Sequence, residues 1–256
     1  MIHLSRRDLL TMTGTTLGAG ALAACATAAA DAAPNDLEPF GYALNTSTIR
    51  GQKLALDQQF ELAARAGYQG IEPWIGDIEV FVAGGGSLVD LAKRARDLGI
   101  AVVSAIGFAQ WIVDDDAQRA KGLDDARRAM DLVAQLGGTR LAAPPAGAAD
   151  KPGLDLSLAA ERYRALLELG DEMGVVPQLE VWGFSKNLSR LGETLLVAAE
   201  SRHPSACLLL DVYHLYKGGS GFAALHLVAG AAMHVWHVND YPASPPRETI
   251  GDAQRV

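Results

Sequence analysis

The sequence predicts an α/β protein, a (β/α)8 TIM barrel, and three observations predict it. After Pro39, apolar strand-like runs alternate with helix-like stretches, an order that makes βαβ units and a parallel sheet. The runs are apolar nearly throughout, as strands covered on both faces are. Acids and histidines gather where the runs end, and the C-terminal ends of barrel strands are where this fold keeps its working groups. The rival dinucleotide-binding fold lacks its phosphate cradle, because no Gly-x-Gly-x-x-Gly follows the first run. Gly84-Gly85-Gly86 follows no strand-like run and reads as a flexible loop.

Taken in order, the strand-like runs are Phe40–Asn45, Gly70–Trp74, Ile100–Ile106, Thr139–Ala143, Val176–Val181, Cys207–Asp211 and Met233–Val238. Between them fall helical stretches at Gln52–Ala66, Leu88–Leu98, Ala117–Leu136, Leu156–Met173, Leu188–Ser201 and Phe222–Ala229. Ser87, with Asp90 three residues on, opens the second helix in a capping-box pattern. Gly67, Gly99, Gly137 and Gly174 stand where helix C-caps belong. Seven strands are accounted for and the eighth is not. The stretch Ile250–Val256 reads as a loop, so the expectation is a barrel over residues 34–256 that is truncated before its eighth strand.

Residues 1–33 read as an export signal rather than fold material. Ser5-Arg6-Arg7-Asp8-Leu9-Leu10 resembles a twin-arginine motif, and a weakly apolar, small-residue stretch follows it. That stretch is too short and too rich in Gly and Thr for a membrane span. Leu22-Ala23-Ala24-Cys25 resembles a lipobox; cleavage before Cys25 leaves a lipid anchor, whereas cleavage after the Ala-Asp-Ala around Asp31 releases the protein. The expected location is periplasmic, with the membrane reached only through a lipid on Cys25. Cys207, in an apolar run, reads as a small core residue, so no disulfide is expected.

Composition excludes some functions. With 49% of the 256 residues apolar and 20% charged, the chain can bury a sizeable core and is not a disordered polymer. A net charge of −8 argues against a sequence-independent grip on nucleic acid, which needs clustered Lys and Arg.

The stretch LLLDVYHLYKGG sets the chemical question. An aspartate ending a leucine run costs free energy unless it is paired. Glu72-Pro73-Trp74, Glu180-Val181-Trp182, Asp211 with His214, and His234 with His237 and Asp240 all fall at strand ends. Carboxylate oxygens converging with an imidazole suit a divalent cation, Mn, Mg, Zn or Co, with no thiolate to demand zinc. Asp211, Glu180 and His237 are therefore the candidate metal ligands. His234 lies an odd number of residues from His237, so the pleat turns it to the other face.

Together, Ile71-Glu72-x-Trp74, Leu179-Glu180, Leu210-Asp211-x-x-His214 and His237-x-x-Asp240 resemble the sugar phosphate isomerase/epimerase superfamily, the xylose isomerase-like barrels. The resemblance implies a metal held by Glu180, Asp211 and His237, with a fourth ligand beyond Val256. It implies that His214 faces a carbohydrate substrate, that Arg247 grips it and that Glu72 touches it or braces the second strand. The implied reaction is proton abstraction beside a carbonyl through an enediolate, with Glu180 as one acid/base group. Trp182 is placed to stack on a sugar face.

Two rival functions stand beside this one. An exported, non-catalytic sugar-binding barrel would keep the cleft without turnover. A metal-dependent apurinic-type endonuclease shares the barrel but uses more histidines, and the second and third strand ends here read Glu72-Pro73-Trp74 and Ile106-Gly107-Phe108. Dimerisation is left open.

Overall fold

The computed structural model describes residues 40–254. The twin-arginine stretch Ser5–Leu10 and the lipobox at Cys25 lie outside the described residues. The seven strands are β1 Ala43–Asn45, β2 Gly70–Glu72, β3 Ala101–Val102, β4 Arg140–Ala143, β5 Val176–Glu180, β6 Leu208–Asp211 and β7 Met233–His237. All pair in parallel and in sequence order, as β1-β2-β3 and β4-β5-β6-β7. Past β3 the chain carries the wall across to the second sheet. Ala105 N–H donates to Arg140 O (3.2 Å), and Ala142 N–H donates to Ala105 O (2.9 Å).

Every expected strand is found, each shorter than its apolar run. Pro73 has no N–H to give the ladder, so β2 stops at Glu72. The third run leaves the ladder with β2 after Val103, where Ala105 bonds to β4, and meets the second run again at Ile106, whose N–H donates to Pro73 O (2.9 Å).

The helices are α1 Leu56–Arg65, α2 Ile75–Ala83, α3 Leu88–Asp97, α4 Asp116–Gln135, α5 Leu156–Met173, α6 Leu191–Glu200 and α7 Val212–Lys217. The four predicted cap glycines all take positive φ, between 68° and 85°. Ser87 caps α3 by accepting from Asp90 N–H at 3.2 Å.

Two predicted helices start late for one reason. Lys53 (φ 51°) and Leu188 (φ 52°) are left-handed, which a continuous helix cannot contain. The first break separates a 3₁₀ turn, Thr46–Gln52, from α1. The stretch Phe222–Ala229 forms only a 3₁₀ turn over Phe222–Leu227.

Helix α2 escaped the sequence reading because its β-branched, Gly-containing residues have poor helix propensity. The glycine triplet after it is a helix stop rather than a flexible loop. Gly84 caps α2, and a Cβ on Gly86 would lie 2.4 Å from the Phe81 ring.

Residue alternation along the strands decides which side chains enter the barrel. Leu208 and Leu210 of β6 pack outward with α5 and α6 residues such as Tyr163, Leu166, Leu191 and Val197. Leu209, between them, meets Ile106, Ala142, Trp74 and Val235 inside. Asp211 is two residues beyond Leu209 and so shares its inward face. Likewise Ile71, Leu141 and Leu179 face the helices, which turns Glu72, Ala142 and Glu180 inward.

Tyr163 ties α5 to two strands, its hydroxyl lying 2.9 Å from Pro177 O and 3.0 Å from Cys207 O. Cys207 is the buried small core residue expected, and burial pushes its thiol to about 11.

Candidate active site at the barrel mouth

Four ionisable side chains from four strand ends meet at the mouth. They are Glu72 from β2, Glu180 from β5, Asp211 from β6 and His237 from β7, and the three acids are at most 5% exposed. His237 sits between two of the acids. Its Nε2 is 2.7 Å from Glu72 Oε2, and its Nδ1 is 3.6 Å from Asp211 Oδ2. Glu72 Oε2 also accepts from Asn45 Nδ2 at 2.7 Å. Asp211 caps α7 by accepting from His214 N–H (2.9 Å) and accepts from Asn239 Nδ2 (3.1 Å).

These contacts split the acids electrostatically. Burial alone would neutralise Glu72. The charge of His237, with hydrogen bonds from His237, Asn45 and Ser104, overrides it and holds the carboxyl below its usual 4.5. Burial opposes ionisation of Asp211 too, but the facing His237 N–H, the charges of His214 and His237 and the cap bond from His214 bring it down to about 2. Glu180 goes the other way. Burial raises it to about 8; the charge of His237 opposes this, and the negative charges of Asp211 and Glu72 support it. Burial presses on His237 to give up its proton, and Glu72 and Asp211 reverse this and lift it well above 6.5. At neutral pH the cluster therefore holds two carboxylates, one imidazolium and one carboxylic acid. Carboxyl groups pushed apart in this way are a mark of acid/base sites.

Three carboxyl groups and an imidazole are the donor types a divalent cation takes. Glu72 Oε1 is buried with no hydrogen bond of ordinary geometry, which leaves one lone-pair site for such a cation. Among the described residues, however, no group of three or more His, Cys, Asp or Glu side chains is spaced as a formed metal site. In the structure Asp211 is met by His237, His214 and Asn239. Both ring nitrogens of His237 are turned to acids, so the donors neutralise one another.

Aromatic rings wall the mouth. Trp74 and Phe108 lie 5.2 Å apart, Phe108 and Trp182 5.9 Å, Trp182 and Phe184 5.0 Å, and Phe184 and His214 5.5 Å. Trp182 and His214, both singled out from sequence, belong to this wall, with His214 buried edge-on to Phe184. His234 is exposed, on the face away from His237.

Arg247 lies in the loop after β7. It pairs with Glu248 at 3.1 Å and lies against Gly219. Asp240 serves a turn, accepting from Tyr241 N–H, and its neighbour Asn239 is the residue that reaches Asp211.

Asn45, Asn239 and Phe108 escaped the sequence reading. Asn45 ends the first run as the acids end theirs, and that was its only signal. Phe108 stood at the third strand end without a role assigned to it, and Asn239 lies beyond β7 and gave no signal.

The loop after β5 crosses α7 at glycines. A Cβ on Gly183 would lie 2.2 Å from His214 O and 2.7 Å from Gly218 N. Because these obstacles are backbone atoms, Gly183→Ala is expected to destabilise the protein by about 2–3 kcal/mol. It should also shift Trp182 and His214. Urea unfolding and tryptophan emission would check both, and a variant as stable as wild type with unchanged emission would contradict the packing argument.

Comparison with known proteins agrees with the barrel. A 3-dehydroshikimate dehydratase of Pseudomonas putida is 24% identical over 187 residues, 73% of this chain and 29% of that protein. The chain thus spans under a third of the length of that curated relative. The crystal structure of an IolI protein with a bound zinc atom superposes with a TM-score of 0.77 at 19% identity, covering 85% of this chain and 78% of the other. A D-psicose 3-epimerase solved with D-fructose superposes with a TM-score of 0.65 at 17% identity, covering 80% and 76%. The family model described as xylose isomerase-like TIM barrel matches residues 60–253, and this chain belongs to that family.

Proposed function

We propose that the chain is a divalent-metal-dependent isomerase or epimerase that removes a proton beside the carbonyl of a small polyhydroxylated substrate. One observation carries the reading: Glu72 and Glu180 face one mouth with their acidities driven in opposite directions. Glu180, Asp211 and His237 would hold the cation, in exchange for their present contacts with one another. When bound, it polarises the carbonyl oxygen and keeps Glu180 ionised.

Glu180 then takes the proton from carbon, beside the aromatic wall formed by Trp182 with Phe108 and Phe184. Glu72 comes from β2, three strands from β5 in the parallel order. It approaches from another side and, after taking up a proton from solvent, is the group to return one to the opposite face. Asn45 holds Glu72 in place. The rings of Trp182 and Phe108 offer apolar faces to the carbon skeleton.

The match to a dehydratase favours a second reading, elimination of water beside a carbonyl, which starts by breaking the same kind of C–H bond. One experiment separates the two. Protein supplied with Mn²⁺ is incubated in D₂O with D-fructose and D-psicose, and separately with 3-dehydroshikimate. Deuterium beside the ketose carbonyl, falling by about 10²–10⁴ in Glu180→Gln, is the expected result. An ultraviolet-absorbing elimination product with no ketose exchange would establish the second reading. Neither signal, from folded protein, would overturn both.

A further inference from the structure

We propose that Arg50 grips a carboxylate on the substrate, so that the site prefers a sugar acid to a neutral ketose. This rests on the reading of the mouth as a proton-abstracting centre, and it adds a specificity-determining residue that neither the motif pattern nor the strand ends indicated.

Arg50 lies in the 3₁₀ turn after β1. Its guanidinium carbon stands 4.0 Å from the centroid of the Trp74 ring. Trp74 is itself held, its Nε1 donating to Asn45 Oδ1 at 3.2 Å, and the other end of that Asn45 amide grips Glu72. The same short chain of contacts therefore fixes the Glu72 carboxylate inside and the Arg50 cation outside.

A guanidinium resting on a ring keeps the N–H donors of its edge available, and that planar fork matches a carboxylate in two parallel bonds. Arg50 is exposed and has no carboxylate partner among the described residues. Several other arginines do have one: Arg119 pairs with Asp116, Arg128 with Asp125 and Arg164 with Glu168. Arg247, the arginine suggested by family resemblance, is committed to Glu248.

Charge sets the direction of binding. The floor of the mouth is lined by the carboxyl groups of Glu72, Glu180 and Asp211, while Arg50 stands against Trp74 on its rim. A substrate carboxylate is drawn to the guanidinium on the rim. The carbonyl end then points at Glu180.

The test compares three ligands of related skeleton, D-fructose, D-fructuronate and D-fructose 6-phosphate. Binding is measured by calorimetry and tryptophan emission at fixed ionic strength, on wild type, Arg50→Gln and Arg50→Lys. D-fructuronate is expected to bind wild type at least about tenfold more tightly than D-fructose, with the preference falling below about threefold in Arg50→Gln. Arg50→Lys should recover only part of it, because an ammonium lacks the fork.

Equal affinity for the acid and the neutral sugar overturns the proposal. So does a preference that survives Arg50→Gln, a stronger preference for the phosphate, or no binding of any of the three. Deuterium exchange on the same ligands keeps the two ideas distinguishable. An Arg50-dependent acid preference without exchange removes the isomerase reading and leaves Arg50, whereas exchange on D-fructose with no acid preference does the reverse.

Discussion

Glu180→Gln is expected to stabilise the metal-free protein at pH 9 by about 2–4 kcal/mol, while leaving it within about 1 kcal/mol of wild type at pH 5. Glu180 is buried at the end of β5, and its pKa is raised from 4.5 to about 8. The sign follows from proton counting. Between these two values the folded chain holds a proton that the unfolded chain has released, so stability is full below pH 4.5 and declines as pH rises through 8. A displacement of that size corresponds to roughly 5 kcal/mol. The buried amide of Gln needs hydrogen bonds that a carboxylic acid does not, which lowers the net gain to the stated range. Urea unfolding of chelator-treated protein at both pH values would check it, and parallel wild-type and variant curves from pH 5 to pH 9 would mean that Glu180 is not held as an acid.

His237→Ala is expected to cost about 3–5 kcal/mol near pH 6, more than the loss of its packing would. The imidazolium is the counter-charge for Glu72 at 2.7 Å and for Asp211 at 3.6 Å. Removing one partner of a buried pair leaves the other charge uncompensated. Adding Glu72→Gln to His237→Ala should recover about 1–3 kcal/mol, because the stranded carboxylate is then gone.

The pH window also has a sign. Glu72, lowered from 4.5, contributes above that pH and loses its contribution as pH falls. His237, raised above 6.5, contributes fully below 6.5 and loses its contribution as pH rises through its folded value. The coupling is therefore greatest between about pH 4.5 and 6.5. Strictly additive single and double variants in that range would mean the pair carries no coupling energy.

Much of the architecture was legible in residue order. Apolar runs separated by helical periods and glycine caps are local signals, and all seven runs became neighbouring parallel strands. The errors were local too. Lys53 and Leu188 take left-handed conformations that no propensity predicts. Pro73 ends the β2 ladder although the apolar run continues beyond it.

Glu72, Glu180, Asp211 and His237 stood out because each ends a strand, and closing parallel strands in sequence order brings such ends to one face. Sequence by itself thus determined the barrel and the roster of acids and histidines at its mouth. Tertiary structure alone decided what those groups are to one another. His237 of β7 reaches Glu72 of β2 across 165 residues, and burial leaves Glu180 protonated while Glu72 and Asp211 are ionised. Proton affinity depends on desolvation and on charges a few ångströms away, and neither distance is written in residue order. Arg50 illustrates the same limit, since only the fold lays it on Trp74.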